Sequence, residues 1–226
     1  MFGDRDDTSN VVAGRACFED NPSRVCAYVL NQVSSAAERL DGFLRASGVD
    51  PTARVTILTD GAGEFEKAAK GCAQPTCRIL DWFHIAMKFE AAENSVFGCA
   101  VIEPLEREAV RREIRGAKWL VWHGKGTESV ARIEALDAEL LRRPDYEFST
   151  LWWNLRKVSG YLRSHIGYLV NYGRRHLKGL PISSGIAESA VNQVVSMRIH
   201  FGPLPSTSVN QSANYALKTV ICELKA

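Results

Sequence analysis

Apolar positions along this chain change their period several times, and each change marks an element. VVAGRACF (residues 11–18) is a short apolar run that predicts a strand, with Gly14 in its middle suggesting a bulge or a close backbone approach. EDNPS turns the chain, and VCAYVLNQV (25–33) starts as a second strand. In SSAAERLDGFLRASG the spacing becomes helical. Val33, Ala37, Leu40 and Leu44 share a side, Ser34 or Ser35 offers a cap, and Gly48 a stop. VTILT (55–59) predicts a buried strand that runs into Asp60 and Gly61. Ala62 to Lys70 predicts a short helix, and CRIL (77–80) a strand leading to Asp81. A helix is expected from His84 to Ala92. Strands alternating with helices in this way argue a mixed α/β layer. In open α/β sheets functional groups collect at the carboxyl ends of strands, where Asp60 and Asp81 both fall.

The strand signal then fades. Residues 101–180 read as an all-helical insertion. One helix is expected from about Pro104, a residue suited to a first turn, to Trp122. A second, TESVARIEALDAELLRR, is expected to be capped by Thr127 and stopped by Pro144, with Val130, Ile133, Leu136 and Leu140 on one face. A third segment runs from Ser149 to His176 and is expected to bend near Gly160 or Gly167. Trp152, Trp153, Tyr161 and Tyr168 are its packing residues. After KGLPIS, Ser183 or Ser184 can cap a further helix that carries Glu188, with Ile186, Ala190, Val191, Val194 and Val195 on its buried face. FGPLPSTSVNQSAN reads as a linker, and YALKTVICELKA as a short amphipathic end with no assigned purpose.

Composition adds constraints. With 226 residues, 46% apolar, 24% charged and a formal net charge of +2, the chain is an ordinary globular sequence whose total charge does not mark a nucleic-acid binder. The arginines are clustered, however, at Arg111, Arg112 and Arg115, at Arg142 and Arg143, and at Arg174 and Arg175. Such clusters suit either a solvated helix face or a phosphate-binding surface. The six cysteines form no CxxC pair and read as reduced, mostly buried thiols of a cytoplasmic protein. No apolar run has the length of a membrane span, and the acidic start MFGDRDDTSN is not a secretory leader.

The candidate chemistry is acidic. Carboxylates at strand ends, joined by one from a helix, can converge on divalent cations, which activate an attacking oxygen and stabilise a leaving one. Asp60 and Glu188 fit that pattern as metal ligands. Asp81 and His84 are secondary candidates, because a DxxH pair also serves as a helix cap with a packed histidine. An Asp-Gly after a strand is, equally, common turn chemistry.

LTDGAGEFEKAAKG, LDWFHIAMKF, AKWLVWHGKG, LVNYGRRH and LPISSGIAESAVNQVVSMR, in this order, resemble bacterial insertion-sequence transposases of the ISKra type, relatives of the Mutator-like group. The resemblance covers roughly residues 8–198. It implies an RNase H-like core, a mixed sheet with flanking helices, interrupted by the all-α insertion. Its divisions would be 1–100 for the first part of the core, 101–180 for the insertion, 181–198 for the helix with the catalytic glutamate, and 199–226 for a divergent tail. By motif match Asp60 is the second acidic residue of the triad and Glu188 the third, while Asp81 and His84 match the C/DxxH motif that supports catalysis or DNA handling. Mg2+ or Mn2+ is the implied cofactor, and the ends of the element and its target DNA are the implied partners. Arg111, Arg112, Arg115, Arg174, Arg175 and Lys178 would contact phosphates. A homodimer, or a heterodimer with an intact transposase, is implied, in the bacterial cytoplasm near the nucleoid.

Two departures accompany the resemblance. The family's first aspartate lies on a strand before VVAGRACF that this sequence does not contain, and Asp4, Asp6 and Asp7 do not replace it. After VVSMR the family's basic, tryptophan-containing continuation gives way to IHFGPLPSTS. The expectation is therefore a transposase chain truncated at both ends and impaired in catalysis and metal affinity, or a non-catalytic DNA-binding and dimerising remnant. An unrelated RNase H-like nuclease is the third reading.

Overall fold

The computed structural model describes residues 11–17, 24–29, 35–61, 68–73, 76–183 and 217–225. It is a mixed α/β protein in which helix predominates among the described residues. Two compact units divide the chain. One comprises Met1–Arg78 with Ser184–Ala226, the other Ile79–Ser183.

The first unit carries strands β1 (Val11–Cys17), β2 (Arg24–Val29) and β3 (Arg54–Thr59), helix α1 (Ala36–Ala46), the start of β4 (Thr76–Leu80), and β5 (Leu217–Lys225). The sheet order is β2-β1-β5-β3-β4. β1 and β2 pair antiparallel, from Val11 opposite Val29 to Ala16 opposite Arg24. β5 runs parallel to β1, from Leu217 opposite Val11 to Glu223 opposite Cys17. It runs antiparallel to β3, from Lys225 opposite Arg54 to Ile221 opposite Leu58. The segment whose sequence suggested only an amphipathic end is thus the central strand. Its alternation is weak, and nothing local in it announces partners so distant in sequence.

α1 obeys its local signals. Ser35, rather than Ser34, is the cap: the Glu38 N–H donates to its Oγ and the Glu38 carboxylate accepts from the Ser35 N–H at 2.7 Å, a capping box. At the other end Gly48 has φ +78, its N–H donates to Arg45 and the Val49 N–H to Leu44, the paired bonds of a Schellman stop. Leu44 then packs with Val49, Val55 and Ile57. β3 is buried from Val55 through Thr59, which explains its continuous rather than alternating apolar pattern. Of the expected helix after Gly61, residues 68–71 are helical and 62–67 lie outside the described residues.

The second unit is helical: α2 (Trp82–Ser95), α3 (Arg107–Trp122), α4 (Gly126–Leu140), α5 (Thr150–Ser164), a 3-10 turn (Ile166–Tyr168) and α6 (Tyr172–Leu177). α2 packs on α3, α3 on α4, α4 on α5 and α5 on α2, so these four close a ring. Ile85, Phe89, Val110, Ile114, Ala117, Ile133, Leu140, Leu155 and Leu162 line its core at helical spacing. Polar bonds fix the packing. The Ser129 hydroxyl donates to the Ala117 carbonyl at 2.8 Å, and the Tyr146 hydroxyl to Asp137 at 2.9 Å. Burial, reinforced by Asp137, holds the Tyr146 phenol well above its usual range, so it stays a donor.

Several boundaries differ from the sequence reading, each for a local reason. α2 starts at Trp82, not His84, because Asp81 caps it. α3 starts at Arg107; Pro104 lies in the turn before it. α4 begins at Gly126, before Thr127, with no side-chain cap bond. α5 runs through Gly160, and the break falls at 165–171, around Gly167, the second of the two expected positions. Trp153 is half exposed, with its ring 4.6 Å from that of Trp152. Cys77, expected among the buried thiols, is exposed too, while Cys72 is half-buried and Cys99 buried. Among the described residues no helix is long and apolar enough to cross a membrane.

Candidate functional site

Asp60 follows directly on β3. Thr59, 1% exposed, closes the strand, and its hydroxyl accepts a long bond from the Gly61 N–H at 3.4 Å. Gly61 adopts φ +87, a backbone state that side-chain-bearing residues disfavour. Asp60 is left half-buried, at the border between strand and solvent. A carboxylate so placed is a hard oxygen donor that water or a cation can reach.

Asp81 is 2% exposed, yet it is well supplied with donors. Its Oδ1 accepts from the Phe83 N–H at 2.8 Å, the N-cap bond of α2, and its Oδ2 lies 3.2 Å from His84 Nδ1. The DxxH spacing sets this up: in a first helical turn, the cap and the residue three on share a face. The turn itself is fastened from several sides. The Trp82 N–H donates to the Ile182 carbonyl at 2.9 Å, and the buried Tyr172 hydroxyl to the Leu80 carbonyl at 3.0 Å. Burial is the chief reason the Tyr172 phenol is held well above its ordinary range, with Tyr161 and Asp81 adding to it. A carboxylate at Nδ1 fixes the orientation of the imidazole and favours its proton on that nitrogen. Cap and oriented histidine are therefore one structure, not alternatives.

The candidate residues fall into three groups. Asp81 and His84 are brought together within the helical unit. Asp60 belongs to the sheet-bearing unit. Glu188 lies outside the described residues. Among the described residues no three metal-ligating side chains gather.

The basic candidates differ in how they are held. Arg111 reaches Glu93 at 2.7 Å and Glu108 at 3.1 Å; Arg115 reaches Glu93 at 3.0 Å and Glu108 at 2.7 Å. The Arg115 bond, with Arg111 and Arg112 adding charge, keeps the Glu108 carboxyl below its usual range. Arg143 is likewise bound to Glu106 at 2.7 Å and to the Val101 carbonyl at 3.0 Å. Arg175 donates to the Pro181 carbonyl at 3.1 Å. Arg112, Arg174 and Lys178 stand exposed.

Sequence reasoning passed over a neighbouring feature, an aromatic ladder. Trp82 and Trp122 rings lie 4.8 Å apart, Trp82 and Tyr172 5.1 Å, Trp119 and Trp122 5.9 Å, and Trp122 and His176 5.9 Å. Gly173 makes room for it, since a Cβ there would stand 2.7 Å from Trp122 Nε1. The available signal was the spacing of Trp119 and Trp122, three residues apart on one helix. Comparison with protein-family models, with curated proteins and with solved structures finds no match to this chain.

Proposed function

We propose that the chain is the catalytic-core portion of a DNA transposase of the DDE strand-transferase class, from an insertion sequence, with an RNase H-like sheet interrupted by the helical unit. The observation that carries the reading is Asp60, half-buried at the end of a strand buried over its last five residues and followed by a left-handed glycine. The order of the motifs supports it. Asp60 comes first, then Asp81 and His84, then the helices, then Glu188 in SGIAES.

In this reading Asp60 and Glu188 hold the metal through carboxylate oxygens, which suits magnesium or manganese. Bound there, such a cation supplies Lewis-acid activation of water and of the leaving 3′ oxygen. His84, oriented by Asp81, accepts or relays a proton beside the DNA backbone. Exposed Arg112, Arg174 and Lys178 contact phosphates, which gives an affinity that falls with salt. Binding without catalysis is the second reading, favoured by one observation: from Phe148 to Ala187 the chain carries no Asp or Glu while carrying several Arg and Lys.

Manganese binding to the intact chain, followed by the loss of the free-ion EPR signal, tests the metal site. Asp60→Asn and Glu188→Gln should each weaken binding about tenfold or more, which is about 1.4 kcal/mol. Manganese affinity unchanged from that of the unsubstituted chain in both variants would overturn the assignment. Retained DNA binding alongside it would leave the second reading standing.

A further inference from the structure

The aromatic ladder ends at the surface. Trp119 is 51% exposed although it sits on a helix whose other face is core. Its ring is held edge-to-face by Trp122, at an interplanar angle of 85°, and Trp122 is held in turn by Trp82 and by the close approach of Gly173. An exposed indole braced from behind keeps its orientation without losing rotamer entropy on binding. The Asn171 side-chain amide donates to the His123 carbonyl at 2.9 Å, joining the end of α3 to the start of α6.

The stretches that carry this ring and α6 are basic in sequence. From Ile114 to Thr127 the chain holds Arg115, Lys118 and Lys125 and no carboxylate. From Phe148 to Ala187 it holds none either, and α6 has Arg174, Arg175 and His176 in its last turn with Lys178 following. Lys118 Nζ lies 5.9 Å from the Trp119 ring centre. The carboxylates on the neighbouring turns are held in ion pairs: Glu93 and Glu108 by Arg115 at 3.0 and 2.7 Å, Glu113 by Arg132 at 2.8 Å and Glu128 by Lys125 at 3.4 Å. An open flat aromatic ring with Lys118 beside it, exposed Arg174 and Lys178 on α6 and its end, and the nearby carboxylates held in ion pairs, matches a nucleobase between phosphates. A peptide or a second copy of this chain would bring buried apolar area or carboxylates of its own in no such fixed spacing.

We propose that the surface where the C-terminal half of α3 meets α6 binds single-stranded DNA, with one unpaired base stacked on Trp119 and the flanking phosphates taken by Lys118, Arg174 and Lys178. This deepens the nucleic-acid part of the proposed function and does not depend on metal chemistry. Duplex DNA has its bases stacked on one another, so the ring gains little from it; the cations serve both forms.

The test uses the intact chain with a fluorescein-labelled oligo-dT of about 15 nucleotides, a length suited to a single-strand groove, and a labelled duplex of equal length. Anisotropy at low salt measures both, and anionic phospholipid vesicles serve as a third probe. Trp119→Ala should weaken oligo-dT binding roughly tenfold, the scale of one lost stacked base, and leave duplex binding within about twofold. Trp119→Phe should restore most of the loss, and Trp119 fluorescence should be quenched by oligo-dT. Lys118→Ala with Lys178→Ala should flatten the salt dependence for both DNAs. Circular dichroism confirms that each variant is folded. Unchanged oligo-dT affinity in a folded Trp119→Ala variant overturns the stacking inference while leaving the nucleic-acid reading in place. Failure of the intact chain to bind either DNA overturns both, as does Trp119-dependent binding of vesicles alone.

Discussion

Glu106 and Arg143 show how an exposed pair of this chain answers to pH. The Arg143 guanidinium donates to both Glu106 oxygens and holds the carboxyl below its ordinary range, and the same bond raises Arg143. A carboxyl whose folded pKa is depressed contributes stability that is fully present above its unfolded pKa and lost as pH falls through the folded one. The thermal midpoint of the intact chain should therefore decline as pH drops below about 4, and Glu106→Gln should remove part of that decline. Melts of the two proteins at pH 3 and pH 6 check this; parallel pH dependence would refute it. At this scale the sequence was readable where chemistry is local. Ser35 with Glu38, Asp81 with His84 and Gly48 as a stop all follow from spacing alone. Arg111 and Arg115 were legible only as a cluster, because their partner Glu93 lies on another helix and no spacing connects them.

Among elements, β3 and β5 mark the two ends of what pattern can foretell. β3 is buried along five residues, and its β-branched content with Asp60-Gly61 following it marks the run as a strand. β5 has a β-branched centre, Thr219 to Ile221, but with lysines at 218 and 225 and a glutamate at 223 it does not announce a central place, which comes from its neighbours on either side. Helix starts were displaced by a few residues where the cap was not the expected side chain: α3 and α4 have no side-chain cap bond at all. Val220→Pro removes a backbone donor in the middle of the central strand, opposite Gly14. Amide hydrogens of both β1 and β3 should then exchange faster, while those of α2 to α5 keep their protection. Unchanged exchange in β1 would show that β5 does not hold the hairpin to the sheet.

Across the whole molecule, the helical unit owns its core. The buried cluster from Leu80 to Tyr172 is assembled from residues of Ile79–Ser183 alone. Expressed by itself, residues 79–183 should give a helical spectrum and a cooperative urea transition; a broad, non-cooperative melt would show that the core needs the rest of the chain. The sheet has a different dependence, because among the described strands β1 and β2 are joined to β3 and β4 through β5. On a ribosome that arrangement becomes an interval. β1, β2 and β3 emerge first, the helical unit follows, and the strand that completes the sheet comes after all of them. At cellular rates of elongation the wait is on the order of ten seconds. Throughout it, the strand edges of β1 and β3 are available to any other extended chain nearby. Yield of the intact protein should thus depend on chaperone supply and synthesis speed more than its finished fold would suggest.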